Sequence, residues 1–162
     1  MSNTIYLRPV QISDLAIILA WENNEDNWEI SGTIEPYTEE EIADFIVEQQ
    51  NYKVTGQLRL MICLRETDFP IGAIDLYDIN YVTKLAGVGI LIEQANNRRK
   101  GYATQALQQL KVIAKQEVGL EQLFCLIHQD NLASLRLFEK ADFKLIEKNA
   151  LENTFRFECH LG

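Results

Sequence analysis

The chain predicts an α/β (α+β) domain built on a single-layer, mixed but mostly antiparallel sheet of about seven strands, with helices packed on both sides. Three observations carry that prediction. Residues 58–64, 71–79 and roughly 84–92 read as strands with too little chain between them for a crossover, so they pair antiparallel. From Gly101 onward helical and strand patterns alternate, which adds helices against that sheet. The 162 residues show no internal repeat and no low-complexity segment, so residues 1–162 are expected to form one domain.

Taken in order, Ile5-Tyr6-Leu7-Arg8 alternates as a half-buried strand and Pro9 ends it. Ser13 or Asp14 caps a helix whose apolar face uses Leu15, Ile18 and Leu19, with Trp21 at its end. Residues 22–28 are polar except for Trp28, too rich in Asn and Asp to continue a helix, and read as a loop. Thr38 followed by Glu41 matches a capping box and opens a helix through Ile42, Phe45, Ile46 and Gln49. Gly56 closes the connection to the three strands. Beyond them, Ala103, Ala106, Leu107, Leu110, Ile113 and Ala114 recur at helical spacing to about Val118, where Gly119 is placed to stop the helix. A strand at 122–128, a helix at about 131–140 and a strand at 143–148 follow. The alternating run 154–160 pairs with that strand as a hairpin and is also free to pair across a dimer, so the chain is expected to be a monomer or a homodimer.

Composition narrows the partners. Lys plus Arg total 15 against 24 for Asp plus Glu, a net charge of −9, which argues against general affinity for nucleic acid or an anionic membrane surface. The N-terminus carries no basic-then-apolar leader, and the apolar stretch 15–21 is far too short to span a bilayer, so a cytoplasmic protein is expected. Cys63, Cys125 and Cys159 are single and set in apolar strand-like runs, as buried thiols would be. With His128 and His160 they form no ligand spacing, and no metal is expected.

Against the acidic background, Arg98-Arg99-Lys100-Gly101-Tyr102-Ala103-Thr104 stands out as a basic, glycine-bearing turn between the buried run 88–92 and a helix. A strand, a glycine turn and a helix N-terminus together present unpaired N–H groups and the positive end of a helix dipole, which suits phosphate. The same residue types also serve ordinary solvated turns.

The order of elements and two motifs resemble the GNAT superfamily of acyl-CoA-dependent N-acetyltransferases. Arg98-Arg99-Lys100-Gly101-Tyr102-Ala103 fits that family's pyrophosphate signature, (Arg or Gln)-x-x-Gly-x-(Gly or Ala), in the strand-to-helix position it requires. Downstream, Asn131, Ser134, Leu137, Phe138, Glu139, Lys140 and Phe143 resemble Asn-x-x-Ser-x-x-Leu-Tyr-Glu-Lys-x-Gly-Phe. Leu7-Arg8-Pro9, Asp14-Leu15 and Pro36-Tyr37 look like the branch containing spermidine and ribosomal-protein N-terminal acetyltransferases. The resemblance implies acetyl-CoA as co-substrate and, as acceptor, the primary amine of a small polyamine-like molecule or a peptide N-terminus. It implies that the N–H groups from Arg99 to Thr104 hold the pyrophosphate and that Arg98 belongs to the same turn. Leu91 and Ile92 would offer backbone groups to the pantetheine and thioester, with Ile92 N–H as oxyanion donor, while Asn131 would reach the pantetheine arm and Ser134 and Phe138 would belong to the same cofactor site.

Three positions depart from the pattern. Phe138 stands where the family commonly has a tyrosine able to protonate the departing thiolate, and Asp142 stands where it has a glycine. Gly87-Val88-Gly89 occupies part of the strand where many relatives carry Glu. The general base is therefore open among Asp75, Asp78, Glu22 and Tyr77, and a CoA-binding module without catalysis is the alternative to a transferase.

Overall fold

The computed structural model describes residues 4–24, 35–49, 51–92 and 101–162. Among these residues seven strands form one sheet in the order β1-β2-β3-β4-β5-β7-β6: β1 Ile5–Pro9, β2 Leu58–Leu64, β3 Pro70–Asn80, β4 Leu85–Ile92, β5 Gln122–His128, β6 Lys144–Asn149 and β7 Thr154–His160. Every neighbouring pair is antiparallel except β4 with β5. The mixed, mostly antiparallel sheet is the one expected.

Alternation along the strands divides the core into two layers. Leu58, Leu60 and Ile62 of β2, with Ile74 and Leu76 of β3, bury against α4 (Tyr102–Ile113) through Ala106, Leu107 and Leu110. Met61, Cys63 and Ala73 point the other way, onto Ile18 and Trp21 of α1 (Leu15–Glu22) and Ile42 and Ile46 of α2 (Glu39–Gln49). Leu107 is fully buried, so truncating it to Ala would cost about 2–5 kcal/mol. Helix α5 (Leu132–Lys140) adds Phe138 to the first layer.

Local chemistry accounts for most boundaries. Glu41 N–H donates to Thr38 Oγ1 at 3.2 Å while Thr38 N–H donates to Glu41 Oε1 at 3.2 Å, the expected capping box. The helix after residue 101 changes its winding before it stops: α4 runs into a π-helical turn, Ala114–Val118, and Gly119 at φ 82° ends it, with Leu120 N–H reaching Ala114 O at 2.9 Å. Asp142 takes the left-handed conformation, φ 68°, that the family's glycine would. A single helical turn, α3 (Tyr52–Thr55), fills the connection before Gly56.

Two expectations are corrected. Neither Ser13 nor Asp14 makes a side-chain cap on α1; a short 3-10 turn, Ile12–Asp14, precedes it. The Asp14 carboxylate is buried instead, receiving both Arg8 Nη1 and Nη2 at 2.8 Å and the Gln11 N–H at 2.8 Å, because a charge beside that core needs full pairing. The run 154–160 is no free edge either. β7 is hydrogen-bonded to β5 on one side and β6 on the other, so it cannot pair across a dimer; among the described residues β1 and β6 are the edges.

Candidate functional site

The site begins where the sheet divides. β4 and β5 pair in parallel at Leu85↔Gln122, Ala86↔Leu123 and Gly87↔Phe124, and there the pairing stops. Each strand continues, β4 held by β3 as far as Ile92 and β5 held by β7 as far as His128. Past Gly87 and Phe124 the two therefore diverge, and a cleft of about 990 Å³ opens between them. Val88, Gly89 and Ile90 form one wall and Cys125, Leu126 and Ile127 the other. Gly89 leaves this opening clear, since a Cβ there would meet no atom of the described residues within 4 Å.

One half of the cleft is bordered by α5. Asn131 is the N-cap of α5, its Oδ1 accepting the Ser134 N–H at 3.2 Å, and both residues line the cleft. The Phe138 ring is buried there, edge-on to Phe143 with centroids 5.0 Å apart, and has no proton to give. Burial pushes the Cys125 thiol up to about 12, so this wall residue stays protonated and unreactive at neutral pH. At the start of α4, Gly101 sits at φ 79°, a left-handed conformation that favours glycine, and a Cβ on it would meet no atom of the described residues within 4 Å. The first turn's Tyr102, Ala103 and Thr104 have no intrahelical carbonyl for their N–H groups. Arg98, Arg99 and Lys100 lie outside the described residues.

The other half is acidic and aromatic. Arg59 lies between two carboxylates: Nε and Nη2 donate to Oδ1 and Oδ2 of Asp75 at 2.8 Å, and Nη1 donates to Glu22 Oε1 at 2.9 Å. Its guanidinium stacks over Phe45, 4.8 Å from the ring centroid. Glu41 and Tyr37 of the α2 entry complete that wall. Asp75 faces Gly89 across the β3–β4 ladder, so Asp75 and the open glycine share one face.

Between the halves stands Tyr77, opposite Gly87 in the same ladder and edge-on to Phe124, with ring centroids 5.6 Å apart at 81°. Gly87 is required for this contact, because a Cβ there would lie 2.4 Å from Tyr77 Cζ.

Glu22, Asp75 and Tyr77 are thus brought into one cleft with Asn131, Ser134 and Phe138. Exposed Asp78, at φ 49° on β3, does not line it. Leu91 and Ile92 pair with Ala73 and Gly72 and also lie outside its lining; Gly72 must be glycine there, since a Cβ would sit 2.0 Å from Leu91 O. Arg59 was missed by motif reading, although a lone charge inside the apolar run Leu58-Arg59-Leu60 was its signal. Among the described residues no His, Cys, Asp and Glu cluster forms a metal-binding set.

Comparison with known proteins agrees with this geometry. The family model described as Acetyltransferase (GNAT) domain matches residues 4–144. A curated relative, "Probable N-acetyltransferase YjcK" of Bacillus subtilis (strain 168), is 29% identical over 146 residues, covering 86% of this chain and 80% of its own. Spermidine N-acetyltransferase from Vibrio cholerae, solved in complex with CoA and spermine, superposes with a TM-score of 0.86 at 18% identity over 99% of this chain and 97% of that one. A domain from Methanocaldococcus jannaschii DSM 2661 gives 0.78 at 23% identity, over 98% and 99%. At such identities the two structures establish the shared fold.

Proposed function

The chain belongs to the GNAT acetyltransferase family, with acetyl-CoA as its acetyl donor, and from that premise we propose that its acceptor is a small cationic primary amine or a peptide N-terminus, which attacks the thioester directly in a ternary complex. One observation carries this reading: a single cleft, opened by the parting of β4 and β5, has two unlike halves. The half beside α5 supports a pantetheine arm, for which the Asn131 side chain and the unbridged edges of 88–90 and 125–127 supply polar groups. The half containing Glu22, Glu41, Asp75, Tyr37 and Phe45 supports an ammonium, which carboxylates and aromatic faces both attract. That the Vibrio cholerae spermidine enzyme was solved with CoA and spermine supports a donor and an amine meeting in this fold.

In this reading the first-turn N–H groups at Tyr102, Ala103 and Thr104, with Gly101 and the basic Arg98, Arg99 and Lys100, meet the pyrophosphate, and the unbridged β4 backbone at 88–90, next to Gly87, meets the thioester. The experiment is a CoA-release assay with acetyl-CoA over polyamines, aminoglycosides, amino acids and N-terminal peptides. Turnover above hydrolysis on at least one class is expected. CoA-induced thermal stabilisation with no turnover on any amine would replace the transferase reading with a binding module.

A further inference from the structure

Proton transfer is the part of the reaction for which the expected groups are absent or committed. Phe138 has no proton, and Gly87-Val88-Gly89 brings no carboxylate from β4. Asp75 has both oxygens held by Arg59, which also binds Glu22. Glu41 is engaged with both the N–H and the hydroxyl of Thr38.

Tyr77 differs from all of these. Its ring covers Gly87 and would be struck by any side chain there, so it fills the space that a longer residue on β4 would take. Phe124 fixes the ring from β5, and the Arg156 guanidinium lies 4.1 Å from the centroid of Phe124, bracing it from β7. The phenol is therefore held at the point where the two strands part, with Asp75 and Arg59 on one side and the β5 wall on the other. Its hydroxyl has no hydrogen-bond partner among the described residues, although the residue lines the cleft.

Resting on the acetyl-transfer reading above, we propose that the Tyr77 hydroxyl relays the proton from the attacking nitrogen to the departing sulfur. As the nitrogen–carbon bond forms and the carbon–sulfur bond breaks, sulfur keeps the bonding pair and takes the Tyr77 proton. The phenol oxygen takes the proton that nitrogen must lose, so Tyr77 ends as it began and the products are an amide and a free thiol. A hydroxyl both donates and accepts, which a relay requires. Burial, with smaller effects of Cys125 and Asp78 opposed by Arg156, pushes the phenol up to about 12. It is therefore neutral at working pH and suited to passing a proton on, not to holding a charge.

The test is Tyr77→Phe, which keeps the ring contacts with Gly87 and Phe124. Expected are a kcat lower by about a hundredfold, KM for acetyl-CoA within about twofold, and an unchanged CoA-induced rise in melting temperature. The solvent deuterium isotope effect on kcat should differ between variant and wild type, which a purely structural role would not produce. A kcat within threefold of wild type, with the same isotope effect, overturns the relay. A wild-type chain that binds CoA but acetylates no amine removes the reading beneath it, and the relay with it.

Discussion

The Arg59 guanidinium closes on both carboxylate oxygens of Asp75, Nε to Oδ1 and Nη2 to Oδ2, each at 2.8 Å, and spends a third donor on Glu22. The three side chains are 13%, 30% and 15% exposed respectively, so water screens the group only in part. Removing the cation leaves two carboxylates facing each other. Arg59→Gln should lower unfolding stability by about 2–4 kcal/mol, read as a shift in urea midpoint. Adding Asp75→Asn should recover part of that loss. Additive effects of the two substitutions would deny the coupling.

Arg8 and Asp14 make a second buried pair with a measurable pH signature. Burial pushes the Asp14 carboxyl up, but the Arg8 hydrogen bonds, the Gln11 N–H and the Arg8 charge outweigh it and hold the group below its ordinary 3.8. A depressed carboxyl contributes stability that is present above the unfolded pKa and lost as pH falls through the folded one. The stability difference between wild type and Asp14→Asn should be constant above about pH 5 and shrink below about pH 4. Urea unfolding at several pH values checks this.

Gly87 and Gly89 are two residues apart on β4 but should respond oppositely to the same methyl group. At Gly87 a Cβ meets Tyr77 at 2.4 Å and Phe124 at 2.8 Å, so Gly87→Ala must displace a packed ring and should cost about 1–3 kcal/mol. At Gly89 it meets nothing among the described residues, and the space there is the acceptor half opposite Asp75. Gly89→Ala should leave the melting temperature within about 2 °C and CoA affinity intact, while raising KM for the acceptor amine.

The contrast between those glycines shows what a single sequence conveys. Strand and helix positions were legible because they follow from local periods: the Thr38–Glu41 box, the Ala106-Leu107-Leu110 stripe and the Gly119 stop all came out where expected. The cleft was not. It depends on a parallel pairing that ends after Phe124, a decision made by β3 and β7 pulling β4 and β5 apart. Tyr77 was legible as a candidate, but its role depends on facing Gly87, and register across a ladder with an irregularity at Tyr77/Asn80 cannot be counted from the residues. Asp14 misled because a helix-start residue and a buried ion-pair partner look the same in sequence.

Gly101 gives the direct test of the donor half. Its Cβ position is open, so the cost of Gly101→Ala should be confined to the left-handed backbone, about 1 kcal/mol, with CoA binding retained. Gly101→Glu brings an anion to the positive end of α4, where it should compete with a phosphate. Thermal shift with CoA should vanish for the Glu variant and persist for the Ala variant. An equal shift in both would move the pyrophosphate to another part of the chain.

The last prediction concerns the acceptor's proton. Among the described residues each cleft carboxylate of the acceptor half is already engaged, Asp75 and Glu22 by Arg59 and Glu41 by Thr38. Tyr77, raised to about 12 mainly by burial, is no base at neutral pH. The amine must then reach the site as the free base, and the cost is set by its own pKa. At pH 7 a lysine-like amine near 10.4 pays about 4–5 kcal/mol, and an α-amine near 8 only about 1–1.5. For each acceptor that turns over, log kcat/KM should rise with unit slope and level off at the pKa of that amine. Two acceptors differing by two pKa units should therefore level off two units apart. A common plateau near pH 6 or 7 for both would reveal a base on the protein.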